Sequence, residues 1–234
     1  MKLAKDALDV GLFTSQRDAM LDFWQRRVAV PFDELLPTGR GAHQLRHRIG
    51  DSILKINHVR EGLTPAPPSG YRRLTIARSG IRTPVDLVDP DGNAVRLVAP
   101  GERDIAQIEL ALATSDVGAM RAFYRDALEL PEVAPAVFCC GASRIAIEHD
   151  VRASRDVPPM RHVGYRYTTI QVFDVVAEHR GILARGGREG SAPVRLGEVA
   201  YISFVRDPDG NWIEISQRKS LTGTLDSTSA DGYR

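Results

Sequence analysis

Glu214 lies in RDPDGNWIEI (206–215), a tight turn followed by an alternating strand. Successive side chains of a strand point to opposite faces, so Ile213 and Ile215 face one way and Trp212 and Glu214 the other. The isoleucines suit a helix-packed side. Glu214 is therefore expected on the open side, where a carboxylate can accept a proton or hold a hard cation. The turn recurs upstream in VDPDGNAVRL (88–97), but there Arg96 takes the carboxylate's place. Arginine keeps its proton and cannot ligate a metal. Other strands carry similar material. Gln107, Glu109 and Ala111 share one face around IELALAT (108–114), Tyr165, Tyr167 and Thr169 share one face of GYRYTTIQV (164–172), and Glu148 sits near the end of RIAIEH (144–149).

The rest of the composition narrows the chemistry. A net charge of +1 over 234 residues gives no reason to expect nucleic acid or an anionic membrane as partner. No apolar run reaches the roughly 18 residues of a spanning helix, and MKLAKDALDV lacks the apolar stretch of a signal peptide. The two cysteines, Cys139 and Cys140, are adjacent and poorly placed for a loop-closing bridge; they read as small hydrophobes in a strand of a reduced, cytoplasmic protein. The six histidines stand at 43, 47, 58, 149, 162 and 179, with His43 and His47 on one face of a strand as solvated or core-edge residues.

The elements that must position these residues come in two copies. TSQRDAMLDFW (14–24) matches TSDVGAMRAFY (114–124), SILKINH (52–58) matches SRIAIEH (143–149), GYRRLTIAR (70–78) matches GYRYTTIQV (164–172), and DPDGN (89–93) matches DPDGN (207–211). The order is preserved, so the chain is a duplication with a boundary near Pro100–Arg103. Between the last two blocks the second copy is 24 residues longer (164 to 207 against 70 to 89), and the surplus contains DVVAEHRGILARGG (174–187). Its apolar positions fall near helical spacing and Gly186–Gly187 supplies a stop. The first copy has only SGIRT there, too short for a helix.

The second copy is itself two half-repeats. A strand leads into a helix in which Met120, Phe123, Tyr124 and Leu128 share a face, strands follow through RIAIEH, and the order restarts at GYRYTTIQV. Each unit reads β-α-β-β-β, and the class is α+β. The expected division is a truncated domain over 1–100, a complete one over 104–218, and a disordered tail over 219–234 rich in Ser, Thr, Gly and Asp.

FYRDALEL after an Asp-led helix start, the paired βαβββ unit and the ending FVRDPDGNWIEI together resemble the vicinal oxygen chelate (VOC) superfamily, which includes glyoxalase I, bleomycin-resistance proteins and extradiol ring-cleaving dioxygenases. That resemblance implies tandem βαβββ units, two VOC domains in one chain, each with a sheet curled around a cavity, and ligands on first and last strands. Carried onto this chain, the first-strand positions are Glu109 and Tyr167, and the last-strand positions are Glu148 and Glu214. No histidine stands at either first-strand position, which argues against a two-His-one-carboxylate iron centre. The implied cavity of the second copy contains Glu109, Glu148, Glu214, Tyr167 and Trp212, with Tyr165 and Gln107 on the same strand faces. Carboxylates gathered in a cavity repel, so one must take a proton or a cation must join them. An oxygen-rich set prefers Mg²⁺ or Mn²⁺ to Fe²⁺ or Zn²⁺.

In the first copy Asp9 stands opposite Glu109, Asn57 opposite Glu148, Arg73 opposite Tyr167 and Arg96 opposite Glu214, so the first copy is expected to be scaffold, lid or wall. Two functions follow from the resemblance. One is an enzyme of the glyoxalase or ring-cleaving dioxygenase type, acting on a small oxygenated or aromatic metabolite, with Glu214, Glu109 and Tyr167 in catalysis and Trp212, Tyr165 and Gln107 against substrate. The alternative is a metal-free protein of the bleomycin-resistance type that sequesters a ligand. The partner is a small molecule, and the expected assembly is an in-chain pseudo-dimer open to further pairing as a homodimer.

Overall fold

A computed structural model of the chain describes residues 1–227 apart from 40, 65 and 158. Four units follow one another. The first is β1 (Leu3–Thr14), α1 (Arg17–Asp22), β2 (Phe32–Gly39), β3 (Ala42–Ile49) and β4 (Ser52–Val59). The second is reduced to β5 (Tyr71–Ala77), β6 (Val85–Val88) and β7 (Ala94–Val98). The third is β8 (Ile108–Thr114), α2 (Val117–Ala122), β9 (Glu132–Ala134), β10 (Val137–Cys140) and β11 (Ser143–His149). The fourth is β12 (Gly164–Val172), α3 (Val175–Ala184), β13 (Arg188–Leu196), β14 (Ala200–Arg206) and β15 (Trp212–Arg218), followed by the short α4 (Lys219–Thr222).

Local chemistry explains the starts and stops. Asp116 and Asp174 accept the backbone N–H of Ala119 and Ala177, each at 3.0 Å, which caps α2 and α3. Helix α1 has Gln16 at this position and no side-chain cap. Both α1 and α2 run on into a π-helical turn, Phe23–Arg27 and Phe123–Ala127, that buries an aromatic pair: Phe23 with Trp24, and Phe123 with Tyr124. Met120, Phe123, Tyr124 and Leu128 are buried together as their spacing requires. The second unit has no helix over 78–84, and it also lacks a strand matching β13.

The sheets do not follow the two sequence copies. The first runs β13-β14-β15-β12-β1-β4-β3-β2 and the second β6-β7-β5-β8-β11-β10-β9. Unit one thus pairs with unit four through antiparallel β1 and β12, and unit two with unit three through antiparallel β5 and β8. The division at 100–104 separates the repeats, while each sheet draws on both sides of it.

The repeated DPDGN turns fasten this crosswise pairing. In each turn the first Asp accepts two backbone N–H groups with one oxygen and the Asn side-chain N–H with the other (Asp89 with Asn93, Asp207 with Asn211). Gly92 and Gly210 take φ of 86° and 87°, where a side chain would be strained. Each Asn then reaches across the molecule. Asn93 Oδ1 accepts the N–H of Tyr165 at the start of β12, and Asn211 Oδ1 accepts that of Gly70 just before β5, at 2.6 Å.

The segment from Lys219, expected as a disordered tail, is structured through Ser227. It forms α4, buries Leu225, receives the Gln217 side chain at the Thr224 carbonyl, and hydrogen-bonds Asp174 through Ser227. Residues 228–234 lie outside the described residues. No helix among the described residues is long and apolar enough to cross a membrane.

Candidate functional site

The first sheet curls around a cavity of about 760 Å³. Its walls come from units one and four together, so side chains of the first copy line it as fully as those of the second. Tyr167 pairs with Trp212 in the β12–β15 ladder, Thr169 with Glu214 and Gln171 with Ser216. On the other side of β12, Gly11 is level with Tyr167 and Asp9 with Thr169.

Glu214 faces this cavity, as the alternation of WIEIS predicts, but its neighbour is a lysine. Lys55 on β4 donates to Glu214 Oε2 at 2.9 Å and to Thr169 Oγ1 at 2.6 Å, while Thr169 donates to the same Glu214 oxygen at 2.7 Å. The Lys55 and Glu214 side chains are 4% and 12% exposed, so this is a buried ion pair closed by a hydroxyl. An ammonium has three donors, and two are used, leaving the third for a ligand.

Tyr167 is the second polar feature. Asn57 and Gln44 donate to its phenol oxygen at 3.1 and 3.3 Å, and Asn57 is itself held by the Leu12 carbonyl. No described acceptor takes the phenol's own hydrogen. Burial, and then the charge of Glu214, push the phenol well up, so it stays protonated and acts as a donor. Its ring lies directly on Gly11: a Cβ there would come within 2.1 Å of it. Phe13, Tyr167 and Phe204 make an aromatic wall, and Trp212 packs behind it against Phe204 at 5.9 Å with Arg206 stacked on its outer face.

Several expected site residues are elsewhere. Glu109 is on β8 in the second sheet, buried and paired with Arg144 at 3.3 Å. Glu148 is on β11 of that sheet, largely exposed and paired with Arg73 at 2.9 Å. Neither joins Glu214, because a unit's partner is not its neighbour in sequence. Gln107 accepts the Asp51 N–H and donates to Ser143, a structural bridge between the sheets. Tyr165 donates to the Ala94 carbonyl and lines a separate hollow, after a register irregularity opposite Gly11 and Leu12 turns it from the face of Tyr167. Arg96 occupies in the second sheet the row that Glu214 occupies in the first: Arg96, Thr75, Glu109 and Arg144 lie side by side there.

Sequence reasoning missed Lys55, Gly11, Gln44, Gln171 and Arg218. The signal for Lys55 was present, since it stands two residues before Asn57 in SILKINH and so shares its face. Asp9 is buried in the same row, with one oxygen bound by Lys5 and the Ile53 N–H and the other without a partner.

These residues do not fit a divalent cation. The carboxylate that would hold it is bound by an ammonium, Asp9 is engaged by a second lysine, and the described residues contain no group of three His, Cys, Asp or Glu placed to hold a metal.

Comparison with known proteins agrees with the fold. The family model of the Glyoxalase/Bleomycin resistance protein/Dioxygenase superfamily matches residues 105–215. Glyoxalase I from Zea mays superimposes with a TM-score of 0.71 at 14% identity, over 95% of this chain and 96% of that one. A point mutant of that enzyme gives 0.75 at 13% identity, over 94% and 95%. A candidate dioxygenase from Bacillus subtilis gives 0.66 at 11% identity, over 97% and 91%. At these identities the likeness is one of fold. A search of the curated proteins gives no match. The matched profile covers the second copy alone, residues 105–215, and the crosswise βαβββ architecture of the whole chain is the fold of glyoxalase I.

Proposed function

We propose that the protein is a metal-independent protein of the glyoxalase/bleomycin-resistance/dioxygenase type that binds a small organic molecule in the first-sheet cavity. The observation that carries this is the Lys55–Glu214 pair at 2.9 Å: the positive charge beside the last-strand carboxylate comes from a side chain. The third Lys55 N–H and the Tyr167 O–H are donors without a described partner. They suit a ligand oxygen, a carbonyl or hydroxyl, with the ligand's apolar body against Phe13 and Phe204. Glu214 is bound by two donors on one oxygen and is poorly placed as a general base. This favours binding over proton abstraction, and Glu109, on the second sheet, does not join Glu214 and Tyr167.

A thermal-shift screen of small aromatic ketones, phenols and carboxylates against the full chain tests the proposal, run in EDTA and repeated with Mn²⁺. Ligands that stabilise the protein equally in both buffers support it. Stabilisation that appears only with the metal overturns it. A catalytic reading has one observation in its favour: two donors without a described partner line the same cavity, and together they would also polarise a carbonyl. Turnover of a carbonyl substrate that survives EDTA and is lost in Tyr167→Phe would establish it.

A further inference from the structure

The far end of the cavity carries polar groups that the Lys55–Tyr167 site does not use. Beyond Glu214, Ser216 and Arg218 line it at alternate positions of β15, and Gln171 does so from β12. Most charges around the cavity are matched within the chain, Lys55 by Glu214 and Arg46 by Glu34 at 3.0 Å. Arg218 is not: among the described residues no carboxylate lies within ion-pair distance of it. Burial, with Arg46 nearby, makes its charged form harder to hold, and the carboxylates that oppose this act from beyond contact.

Two neighbours are also without partners. The Gln171 carboxamide makes no hydrogen bond to a described residue, although the residue is 1% exposed and its Oε1 is fully enclosed. The amide can present either its oxygen or its N–H group after a half-turn. Ser216 is 2% exposed, and its hydroxyl also makes no hydrogen bond to a described residue. A half-buried guanidinium, an amide with an enclosed oxygen and a hydroxyl share one wall, none with a described partner, and the enclosed amide oxygen in particular is costly unless something outside the chain completes it. A planar carboxylate fits a guanidinium through two parallel hydrogen bonds. Between this end and Tyr167 lie the mutually neutralised Lys55–Glu214 pair with Thr169, and beside them the apolar Ile202, Phe204 and Leu196. Tyr167 and Gln171 are four residues apart on β12, roughly 13 Å at the rise of a strand.

We propose that the Arg218 end of the cavity binds the carboxylate of an amphipathic organic acid, with Ser216 and Gln171 as supporting donors and the acid's apolar body extended toward Tyr167. The proposal rests on the cavity being a metal-independent binding site. The length suits a medium-chain or aryl-alkyl acid.

Isothermal titration of the full chain in EDTA, with decanoate, 1-decanol and decyl phosphate as probes, tests it. Decanoate should bind at least roughly tenfold more tightly than decanol. Arg218→Met should remove that advantage and leave decanol affinity unchanged, while Arg218→Lys should keep part of it; thermal melts confirm that the variants fold. Decanol binding as well as decanoate, or Arg218→Met without effect on decanoate, overturns the anion site while leaving the cavity as a binding site. Decyl phosphate binding more tightly than decanoate overturns the carboxylate assignment in favour of a phosphate headgroup. Binding of any probe only when Mn²⁺ is supplied, or of none under either condition, removes the metal-independent site and this proposal with it.

Discussion

Replacing Lys55 by Met removes one partner of a buried ion pair and keeps most of the side chain's volume. Glu214 is then left with Thr169 as its donor in a site where its side chain is 12% exposed. Breaking a buried pair from one side costs about 3–5 kcal/mol, and the residual exposure places this case near the lower end, about 3 kcal/mol. For a chain of this size that corresponds to a fall in Tm of roughly 6–12 °C. Glu214→Gln should also destabilise, by stranding the ammonium, where a cluster of repelling carboxylates would have predicted a gain. Lys55→Met combined with Glu214→Gln removes both charges and should return to within about 1 kcal/mol of wild type, because neither ion then needs compensation. Urea denaturation of the four proteins measures the cycle. A Lys55→Met cost below about 1 kcal/mol, or a double variant no better than the worse single one, would refute the pairing.

Further outcomes follow from other contacts. Gly11→Ala would drive a methyl into the Tyr167 ring, so a loss of about 1–3 kcal/mol is expected together with weaker ligand binding; a variant within about 0.5 kcal/mol of wild type would show that the ring is not held against β1. Asn211→Ala removes the bond to Gly70 and the bond to Asp207, and should cost about 1–3 kcal/mol in denaturant melts, more than Gln16→Ala, whose bonds are exposed. Burial pushes Asp207 up to about 7, so the folded state binds more protons than the unfolded one from about pH 4 to pH 7, and this group's contribution to stability falls as pH rises through that window. His47 and His179, lowered by burial, act in the opposite sense below about pH 6.5. The test is therefore the difference between wild type and Asp207→Asn: the variant should lack the decline on going from pH 5 to pH 8, and identical slopes would count against it.

The local grammar of the chain was legible from its residues. Two copies of DPDGN could be read as turns because an Asp, a Gly and an Asn at those spacings satisfy their own backbone. The helix at α3 and its absence from the second unit followed from 24 surplus residues, and the open-side position of Glu214 followed from the period of a strand. These are properties of neighbours in sequence, where a few ångströms of chain fix the outcome.

Which strands would lie side by side was decided by tertiary structure alone. Comparing the copies position by position set Glu109 and Glu148 beside Glu214, yet β15 lies beside β12, β12 beside β1, and β1 beside β4. The partner of Glu214 is therefore Lys55, 159 positions away in the other copy. Alternation tells which face a residue takes but not which strand lies alongside, since units of the same pattern can pair within a copy or between copies with equal local satisfaction. The choice rests on contacts no single strand contains: the Asn93 and Asn211 side chains reaching across to the opposite unit, and the ring of Tyr167 packing onto a position that Gly11 leaves empty.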